Sequence, residues 1–176
     1  MPIAADVTGR LGAGNLPALR ENHMKEVIKF YRTADAFGCF SNFAPYPIWL
    51  DGRHWPTSEH YYQASKFEKI EDQERIRMIE SPMVAARLGR DHGWSIRGDW
   101  DAVRDEVMRK ALQAKFTQHA ALRDILLSTG HAEIVEHTKN DRYRADGGDG
   151  SGRNMLGRLL MEIREELRMS TGASRD

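Results

Sequence analysis

The sequence has a single cysteine and no excess of charge of either sign. Cys39 is the one cysteine among 176 residues, so an internal disulfide and cysteine-rich zinc sites are excluded. Lys and Arg number 26, as do Asp and Glu, and the zero net charge argues against tight binding of nucleic acid regardless of its sequence. Hydrophobic runs are shorter than the roughly 18 residues of a membrane span, and the N-terminus lacks the pattern of a secretory signal. We therefore expect a cytoplasmic protein with no membrane partner.

A chain of 176 residues is long enough to bury the core of one compact domain. Residues 1–24 contain three glycines and two prolines but few apolar side chains, which predicts a flexible N-terminal tail. The predicted domain covers residues 25–168, and residues 169–176 follow as a C-terminal tail.

The predicted strands lie near the N-terminal side of this domain. Residues 27–31 form a short apolar run that favours a strand. Ile48–Leu50 and Arg53–Trp55 flank Asp51-Gly52, a pair typical of a tight hairpin turn because glycine tolerates positive φ. We expect one small β-sheet here.

Most of the chain after residue 56 has the periodicity and capping residues of helices. A hydroxyl at Thr57 or Ser58 can cap the first helix, and Ser81-Pro82 starts the second with proline in its first turn. In the last helix, apolar residues recur at i, i+3, i+4, i+7 and i+11 from Leu156. The predicted helices cover residues 57–67, 82–89 or 82–93, 100–117, 120–128 and 156–167. The fold class is therefore α+β and predominantly helical.

One face of the first predicted helix carries both a carboxylate and an amine. Helical spacing puts the following residues on that face: Glu59, Tyr62, Gln63 and Lys66. If the face lines a pocket, Glu59 can act as a general acid or base, and Lys66 as a nucleophile once burial lowers its pKa. In the alternative, Glu59 complements the helix dipole and Lys66 is a solvated surface group. The aromatic density of this helix favours burial.

A glycine-rich stretch lies directly before the last helix. Four glycines occur from Asp146 to Gly152, and their backbone amides, with the first turn of the helix, can bind a phosphate. Asn140, Asp141 and Asp146 can bind ribose hydroxyls or a divalent cation, although Asp and Asn beside Gly are more often turn formers. The alternative is a flexible surface linker, since the stretch matches neither the Walker loop nor the dinucleotide fingerprint.

A third candidate segment combines aromatic with polar side chains: Phe40, Ser41, Asn42 and Phe43. Tryptophans such as Trp55 and Trp100 fit the core or its rim, where an indole beside a pocket can also stack on a nucleobase. The seven histidines have no metal-ligand spacing, and we expect neither a metal nor a cofactor.

Several short motifs occur along the chain in a fixed order. They are Phe40-Ser41-Asn42-Phe43, Trp55-Pro56-Thr57-Ser58-Glu59-His60-Tyr61, Gln63-Ala64-x-Lys66-Phe67, Ser81-Pro82, Asn140-Asp141, Asp146-Gly147 and Gly152-x-Asn154-x-Leu156-Gly157. In combination they resemble the NADAR family of bacterial N-glycosidases, also called the YbiA-like family. The resemblance runs from about Val27 to Leu167.

The resemblance implies a compact, mainly helical α+β fold and hydrolysis of an N-glycosidic bond between a phosphorylated ribose and a base or amine. One branch of the family is linked to the removal of reactive early intermediates of riboflavin biosynthesis, which are ribosylamino-pyrimidine phosphates. Another branch is linked to the removal of ADP-ribose from guanine bases. Length and motif spacing look more like the riboflavin branch. The expected partners are small phosphorylated N-ribosides, or ADP-ribosylated nucleic acid in the alternative.

The resemblance also implies roles for individual residues, with Glu59, Lys66 and Asp141 as the catalytic set. Glu59 would stabilise the oxocarbenium-like ribose or serve the departing nitrogen, and Lys66 would attack the anomeric carbon to open the sugar as a Schiff base. Asp141 or Asp146 would orient the ribose or the water. Trp100 would stack on the base, and the glycine-rich turn with Asn154 would bind the phosphate. The other expected substrate-binding residues are Phe40, Ser41, Asn42, Phe43, Trp55, Tyr62, Asn140, Tyr143 and Gly147.

The chain departs from the family pattern at one place. Family members commonly read Tyr-Trp-Gly-Asp-Gly where this chain has Tyr-Arg-Ala-Asp-Gly, so that Arg144 replaces a tryptophan. Arg144 can contact a phosphate, which would favour a more anionic substrate. A third hypothesis is a non-catalytic module that binds ADP-ribose or a similar ligand, in which Glu59→Gln and Lys66→Ala would leave no reaction to abolish.

Overall fold

A computed structural model describes residues 26–91 and 93–172, without the side chains of residues 171 and 172. Within these residues the strands are Val27–Phe30 (β1), Ile48–Leu50 (β2), Arg53–Trp55 (β3) and Glu133–Glu136 (β4). The α-helices are Ser58–Ala64 (α1), Ile70–Arg77 (α2), Pro82–Leu88 (α3), Trp100–Gln118 (α4), Ala120–Ser128 (α5) and Met155–Gly172 (α6). The fold is α+β and helix-rich, as the sequence predicts. The predicted N-terminal tail, residues 1–24, lies outside the described residues.

Strands β2 and β3 form the predicted hairpin. They pair antiparallel, with Ile48 opposite Trp55 and Leu50 opposite Arg53. The turn between them places Asp51 at φ 51° and Gly52 at φ 72°. Two successive positive φ values are the geometry that matches the twist of a two-residue hairpin, which is why the Asp-Gly pair marks it in the sequence.

Strands β1 and β4 form a second sheet that sequence analysis does not predict. They pair parallel, from Val27 opposite Glu133 to Phe30 opposite Glu136. The sequence predicts one small sheet and mostly helices after residue 56, whereas the described residues contain two sheets of two strands each. The reason is that residues 133–136 are too few to show a period, and their strand conformation depends on a partner far away in the chain.

Helix α1 begins where predicted and ends earlier. Thr57 caps it, since its Oγ1 accepts a hydrogen bond from the backbone N–H of His60 at 3.3 Å. The helix ends at Ala64 instead of residue 67. Phe67 then forms an isolated antiparallel bridge with Ile96, which takes the chain out of helical geometry before α2 starts. Sequence analysis does not predict α2 as a separate helix.

The other helix predictions agree closely with the structure. Helix α3 has Pro82 in its first turn, and α4 and α5 match the predicted ranges to within a residue. Helix α6 differs, because it extends to residue 172 instead of 167. Residues 169–172, which the sequence assigns to a C-terminal tail, are therefore helical, and residues 173–176 lie outside the described residues. The core is built mainly from α1, α4 and α6 around β1 and β4; its fully buried side chains include Phe30, Phe67, Met108, Leu112, Phe116, Ile134, Leu160 and Ile163.

Candidate active site

Helix α1 is buried along its whole length, including its polar residues. Glu59 is 0% exposed, and Lys66, just beyond the end of the helix, is 8% exposed. The helix packs against α2, α3 and α4, so neither group is on a solvated face. Burial of a carboxylate and an amine is unfavourable unless partners compensate it. The surface interpretation of Glu59 and Lys66 is therefore wrong.

Arg144 is the charged partner of Glu59. Its Nη1 donates to both carboxylate oxygens of Glu59, at 3.0 and 3.2 Å. Its Nε donates to Oδ2 of Asp141 at 2.9 Å, and Gln63 Nε2 adds a 2.6 Å hydrogen bond to Glu59 Oε1. The negative charge of Glu59 raises the pKa of Arg144, so the guanidinium stays charged. We refer to Glu59, Arg144 and Asp141 as the Arg144 bridge, which ties α1 to the segment before α6.

The amine of Lys66 lies beside this bridge. Its Nζ donates to the carbonyl of Gly89 at 2.8 Å and sits 5.8 and 5.7 Å from the ring centroids of Tyr62 and Trp100. Burial lowers the pKa of Lys66 to about 8, against the opposing charge of Glu59. A sizeable fraction of the amine is therefore neutral just above physiological pH, which is the nucleophilic form.

Tyr62 shows that Glu59 and Lys66 belong to one cluster. The Arg144 guanidinium carbon lies 5.7 Å from the Tyr62 ring centroid, about as far as Lys66 Nζ lies from it. The Trp100 ring packs edge-on against Tyr62, with centroids 5.1 Å apart. The face predicted from helical spacing is thus one buried site.

A cavity of about 420 Å³, the first cavity, opens against the Arg144 bridge. Asp141 and Arg144 line it, whereas Glu59 is covered by the Arg144 side chain that binds it. Its volume is in the range of small-molecule pockets, which is roughly 300–1,000 Å³. The lining residues are Tyr31, Arg32, Thr33, Ser41, Asn42, Phe43, Met83, Arg90, Glu136, Thr138, Asn140, Asp141 and Arg144. The structure therefore brings together four of the predicted substrate-binding residues, Ser41, Asn42, Phe43 and Asn140, with Asp141 of the predicted catalytic set. Their roles stay predictions.

Asn42 is an unpartnered polar group in the cavity wall. Its side chain is 3% exposed, and neither Nδ2 nor Oδ1 has a hydrogen-bond partner among the described residues. Its backbone is fixed, because the carbonyl of Asn42 accepts from the N–H of Glu59 at 3.1 Å and that of Ser41 accepts from Lys115 Nζ at 2.9 Å. A buried carboxamide on a fixed backbone, with no partner among the described residues, is suited to pair with a ligand.

Glu136 is a cavity residue that sequence reasoning missed. It ends β4, and the alternation of a strand places Glu136 and Thr138 at the first cavity. Burial raises the pKa of Glu136 to about 7, with the Arg144 charge acting in the opposite direction. The one signal in the sequence is the four-residue strand itself, and that strand was not recognised.

The glycine-rich segment lines a second cavity, of about 510 Å³, together with the alternate residues of β4. Asp146 and Asn154 are here, not at the first cavity, and Asp146 Oδ2 lies 2.7 Å from Nδ1 of His137. Arg153 and Arg158 also line it. The structure therefore separates the expected phosphate-binding turn from Asn140 and Asp141.

The Asn154 side chain joins the start of α6 to β4. Its Oδ1 accepts from the backbone N–H of Glu136 at 3.0 Å, and its Nδ2 donates to the carbonyl of Ile134 at 2.8 Å. Asn154 itself has φ 49°, a left-handed conformation that Asn tolerates better than most residues. This contact positions Glu136, a role the sequence analysis does not foresee.

The remaining predicted site residues lie away from the lining of the first cavity. Phe40 is fully buried in the core, and Trp55 is buried with its Nε1 donating to the carbonyl of Leu50 at 3.0 Å. Tyr143 donates its hydroxyl to Asp105 at 2.7 Å. Gly147 has φ 74° in the turn before α6. Direct contact of these residues with substrate stays a prediction.

Within residues 26–91 and 93–172 the structure offers neither a cluster for a metal ion nor a helix that could span a membrane. No three or more His, Cys, Asp or Glu side chains there are arranged to hold a metal ion. No helix in the same ranges is both long and apolar enough to cross a membrane.

Comparison with known proteins places these features in a family. The NADAR domain model matches residues 29–168. N-glycosidase YbiA of Escherichia coli is 56% identical over 152 residues, which cover 85% of this chain and 95% of that protein. N-glycosidase Npun_R5314 of Nostoc punctiforme is 42% identical over 80% of this chain and 92% of its own length. Riboflavin biosynthesis protein VVA0006 of Vibrio vulnificus is 45% identical, with the match covering 85% of this chain and 41% of that protein.

A solved structure is similar as well. The NMR structure of the E. coli protein YbiA superposes with a TM-score of 0.79 at 56% sequence identity, covering 84% of this chain and 88% of that one.

Proposed function

The chain belongs to the NADAR domain family, and from this we propose that it is an N-glycosidase that hydrolyses the N-glycosidic bond of phosphorylated ribosylamino-pyrimidines, the early intermediates of riboflavin biosynthesis. Relatives named as N-glycosidases and as a riboflavin biosynthesis protein support the reaction and the pathway. The product would be a phosphorylated ribose and a free amine, and the activity would remove reactive metabolites. Its proposed location is the cytoplasm, a reducing compartment in which a free cysteine such as the buried Cys39 is common.

The observation that carries the proposal is that the Arg144 bridge connects the buried residues of α1 to the wall of the first cavity. Arg144 and Asp141 line the cavity, and Arg144 contacts Glu59 directly. Cleavage of the bond from ribose to nitrogen builds positive charge on the anomeric carbon. Carboxylates fixed beforehand at that carbon lower the barrier without reorganising during the reaction.

Within this site, Asp141 is the carboxylate that directly faces a bound ribose. Its Oδ1 accepts the backbone N–H groups of Tyr143 and Arg144, at 2.8 and 2.7 Å, while Oδ2 accepts from the Arg144 side chain. These hydrogen bonds lower the pKa of Asp141 despite its partial burial. Asp141 is thus kept ionised to orient the ribose hydroxyls or the attacking water.

Lys66 supplies a covalent route in the same proposal. Neutral Lys66 Nζ would attack the anomeric carbon as the bond to the base nitrogen breaks. The attached amine would then pass a proton to the ring oxygen, whose bond to the anomeric carbon breaks to give a Schiff base. Water would hydrolyse the Schiff base, which frees the sugar and restores the lysine. Its place beside Arg90, a cavity residue whose charge also lowers the pKa of Lys66, supports access from the first cavity.

The phosphate of the substrate would be bound by cavity arginines. Arg32, Arg90 and Arg144 all line the first cavity, and guanidinium groups match phosphate geometry. The unpartnered Asn42 amide would pair with the base or a ribose hydroxyl.

The test measures the sugar that the purified protein releases from three substrates. The product is phosphoribose from the two early ribosylamino intermediates of riboflavin biosynthesis and ADP-ribose from ADP-ribosyl-guanosine. We expect hydrolysis of the pyrimidine substrates and its loss in Glu59→Gln. Hydrolysis of the guanine adduct alone would move the protein to the ADP-ribose branch. Binding of all ligands without turnover would make it a non-catalytic module and overturn the proposal.

A further inference from the structure

Three carboxylates lie at or near the wall of the first cavity. Glu136 and Asp141 line it, and Glu59 lies behind Arg144. Arg144 pairs with Glu59 at 3.0 Å and with Asp141 at 2.9 Å, and these contacts use its Nη1 and Nε groups. Glu136 lines the same cavity. Its carboxylate forms neither a hydrogen bond nor an ion pair with any residue from 26–91 or 93–172. Of the three arginines that line the cavity, Arg144 is the one that pairs with carboxylates of this group, and its partners are Glu59 and Asp141. Glu136, which has no such pair among the described residues, is the carboxylate in which a proton is best retained.

The backbone of Glu136 is held firmly although its side chain is unpaired. Its N–H donates to Oδ1 of Asn154 at 3.0 Å, and its carbonyl accepts from the N–H of Asp146 at 3.0 Å. It also ends the strand β4, which pairs with β1. A carboxyl group on a fixed backbone, aimed into a cavity and free of partners, has the geometry that proton transfer to a ligand requires.

The reaction needs such a group. The electron pair of the broken bond goes to the departing nitrogen, and an amine of this kind leaves readily only when it is protonated. Glu59 is poorly placed to donate that proton, because both of its oxygens accept hydrogen bonds from Arg144 and one accepts another from Gln63. Asp141 is likewise held by Arg144.

Resting on the proposed function, we propose that Glu136 is a further catalytic residue, the general acid that protonates the departing nitrogen of the N-riboside. The Glu136 carboxyl transfers its proton to the nitrogen as the bond to the anomeric carbon breaks. The resulting carboxylate takes a proton from the water whose oxygen adds to that carbon, which restores the acid and balances the hydrolysis. Glu59 and Asp141, which both accept hydrogen bonds from Arg144, take no part in this proton transfer and stabilise the positive ribose.

The raised pKa of Glu136 supports this division of roles. Burial raises the pKa of Glu136 to about 7, so about half of the carboxyl groups are protonated near neutral pH. The charged and titratable groups that face it are Arg144, Asp141, Glu59 and Asp146, and Arg32, Arg90 and Tyr31 share the cavity wall. The acid form is lost as the pH rises through this pKa, and turnover should fall at alkaline pH.

The test compares Glu136→Gln with Glu133→Gln. Both residues belong to β4, but Glu133 lines the second cavity, so its variant controls for effects on the strand. We expect Glu136→Gln to lower kcat by about 100-fold with little change in KM, and to abolish the alkaline fall in its residual activity. Glu133→Gln should stay within about twofold of the parent in kcat. Equal losses in both variants, or an alkaline fall retained in Glu136→Gln, would overturn the inference.

A second measurement separates failure of this inference from failure of the proposed function. Carbon-13 NMR of protein labelled at glutamate carboxyls should show one signal that titrates at about pH 7 and is missing in Glu136→Gln. A Glu136 signal that titrates at the ordinary glutamate value of 4.5 contradicts the inference even if the protein is an active N-glycosidase. Absence of turnover in the parent protein refutes the proposed function and the general-acid role with it.

Discussion

Lys66 and Lys115 are both buried lysines, but their surroundings differ. Each Nζ donates to one backbone carbonyl, at 2.8 and 2.9 Å, and burial lowers both pKa values, to about 8 and about 7. Lys66 has Glu59 and Arg144 as charged neighbours, whereas Lys115 lies against the rings of Tyr46 and Phe116. Burial and a lowered pKa therefore do not identify a catalytic lysine. What distinguishes Lys66 from Lys115 is its neighbouring carboxylate, Glu59, which supports the proposed role of Lys66 as the nucleophile.

Lys115 instead fixes the backbone of the wall of the first cavity. Its Nζ binds the carbonyl of Ser41, next to the unpartnered Asn42, from the middle of the core. The hydrogen bond is available to the amine whether it is neutral or charged. The comparison thus distinguishes Lys66, proposed as the nucleophile, from Lys115, which holds the backbone of Ser41.

The largest expected effect distinguishes the two lysines directly. Lys66→Met should lower turnover on the order of 10³-fold or more, because the nucleophile is lost. Borohydride reduction during turnover should trap a sugar adduct on Lys66 of the parent protein, located by peptide mass spectrometry. Lys115→Met, the matched control, should keep both the adduct and most of the turnover. Trapping of the adduct at Lys115, or full activity of Lys66→Met, would contradict the proposal that Lys66 is the nucleophile.

A second expected effect concerns the carboxylate that only Lys66 has nearby. Glu59→Gln should reduce turnover about 100-fold and destabilise the fold by about 3 kcal/mol, since it leaves a buried guanidinium with one partner instead of two. Urea unfolding measures the second quantity. Glu74→Gln is the control, because Glu74 forms its ion pairs with Arg53 and Arg77 near the surface, where a pair is worth about 1 kcal/mol or less. Equal stability losses in the two variants would contradict the burial argument.

The third prediction uses the pH dependence of stability. The folded-state pKa of Lys115, about 7, lies below its ordinary value of 10.5, so the unfolded chain binds more protons between these values and stability rises with pH across that window. Lys66 contributes a smaller rise above pH 8. Lys115→Met should therefore flatten most of the rise, on the order of 5 °C in Tm between pH 6.5 and 9. Thermal unfolding at the two pH values would show it; an unchanged slope would mean that Lys115 is not titrating in this range.

The smallest expected effect sharpens the role of Arg144. Arg144→Trp restores the residue common in the family and removes a positive charge that helps to lower the pKa of Lys66. The acid limb of the pH–rate profile should move to higher pH, and KM for a phosphorylated substrate should rise several-fold, while kcat stays within about tenfold. Arg144→Lys keeps the charge and should leave the acid limb in place. A shift of equal size in both variants would show that the charge is not responsible.

The sequence predicted the elements whose signals are local. The Asp51-Gly52 turn, the Thr57 cap and the period of α6 depend on neighbouring residues, and all three agree with the structure. The pairing of β1 with β4 was missed, because no local pattern in residues 133–136 indicates which distant strand they pair with. Glu136 was missed with it.

The same contrast applies to the candidate site. Helical spacing brought Glu59 and Lys66 together, and the structure places them in one buried cluster. Asp141 and Asp146 are close in sequence but line different cavities. The turn that separates them depends on backbone contacts such as the hydrogen bond from Gly147 N–H to the Asp141 carbonyl, which composition cannot specify.

Because β1 pairs with β4, the first cavity can form only after both strands have been synthesised. Tyr31 and Arg32 reach the cavity wall from the end of β1, and Glu136 and Thr138 reach it from the end of β4. These two portions leave the ribosome far apart in time, and contacts so distant along the chain form late because of the entropy of closing the loop between them. A nascent chain that has exposed α1 therefore carries Glu59 and Lys66 without a binding pocket. The proposed reaction therefore requires that β4 has been synthesised and has paired with β1.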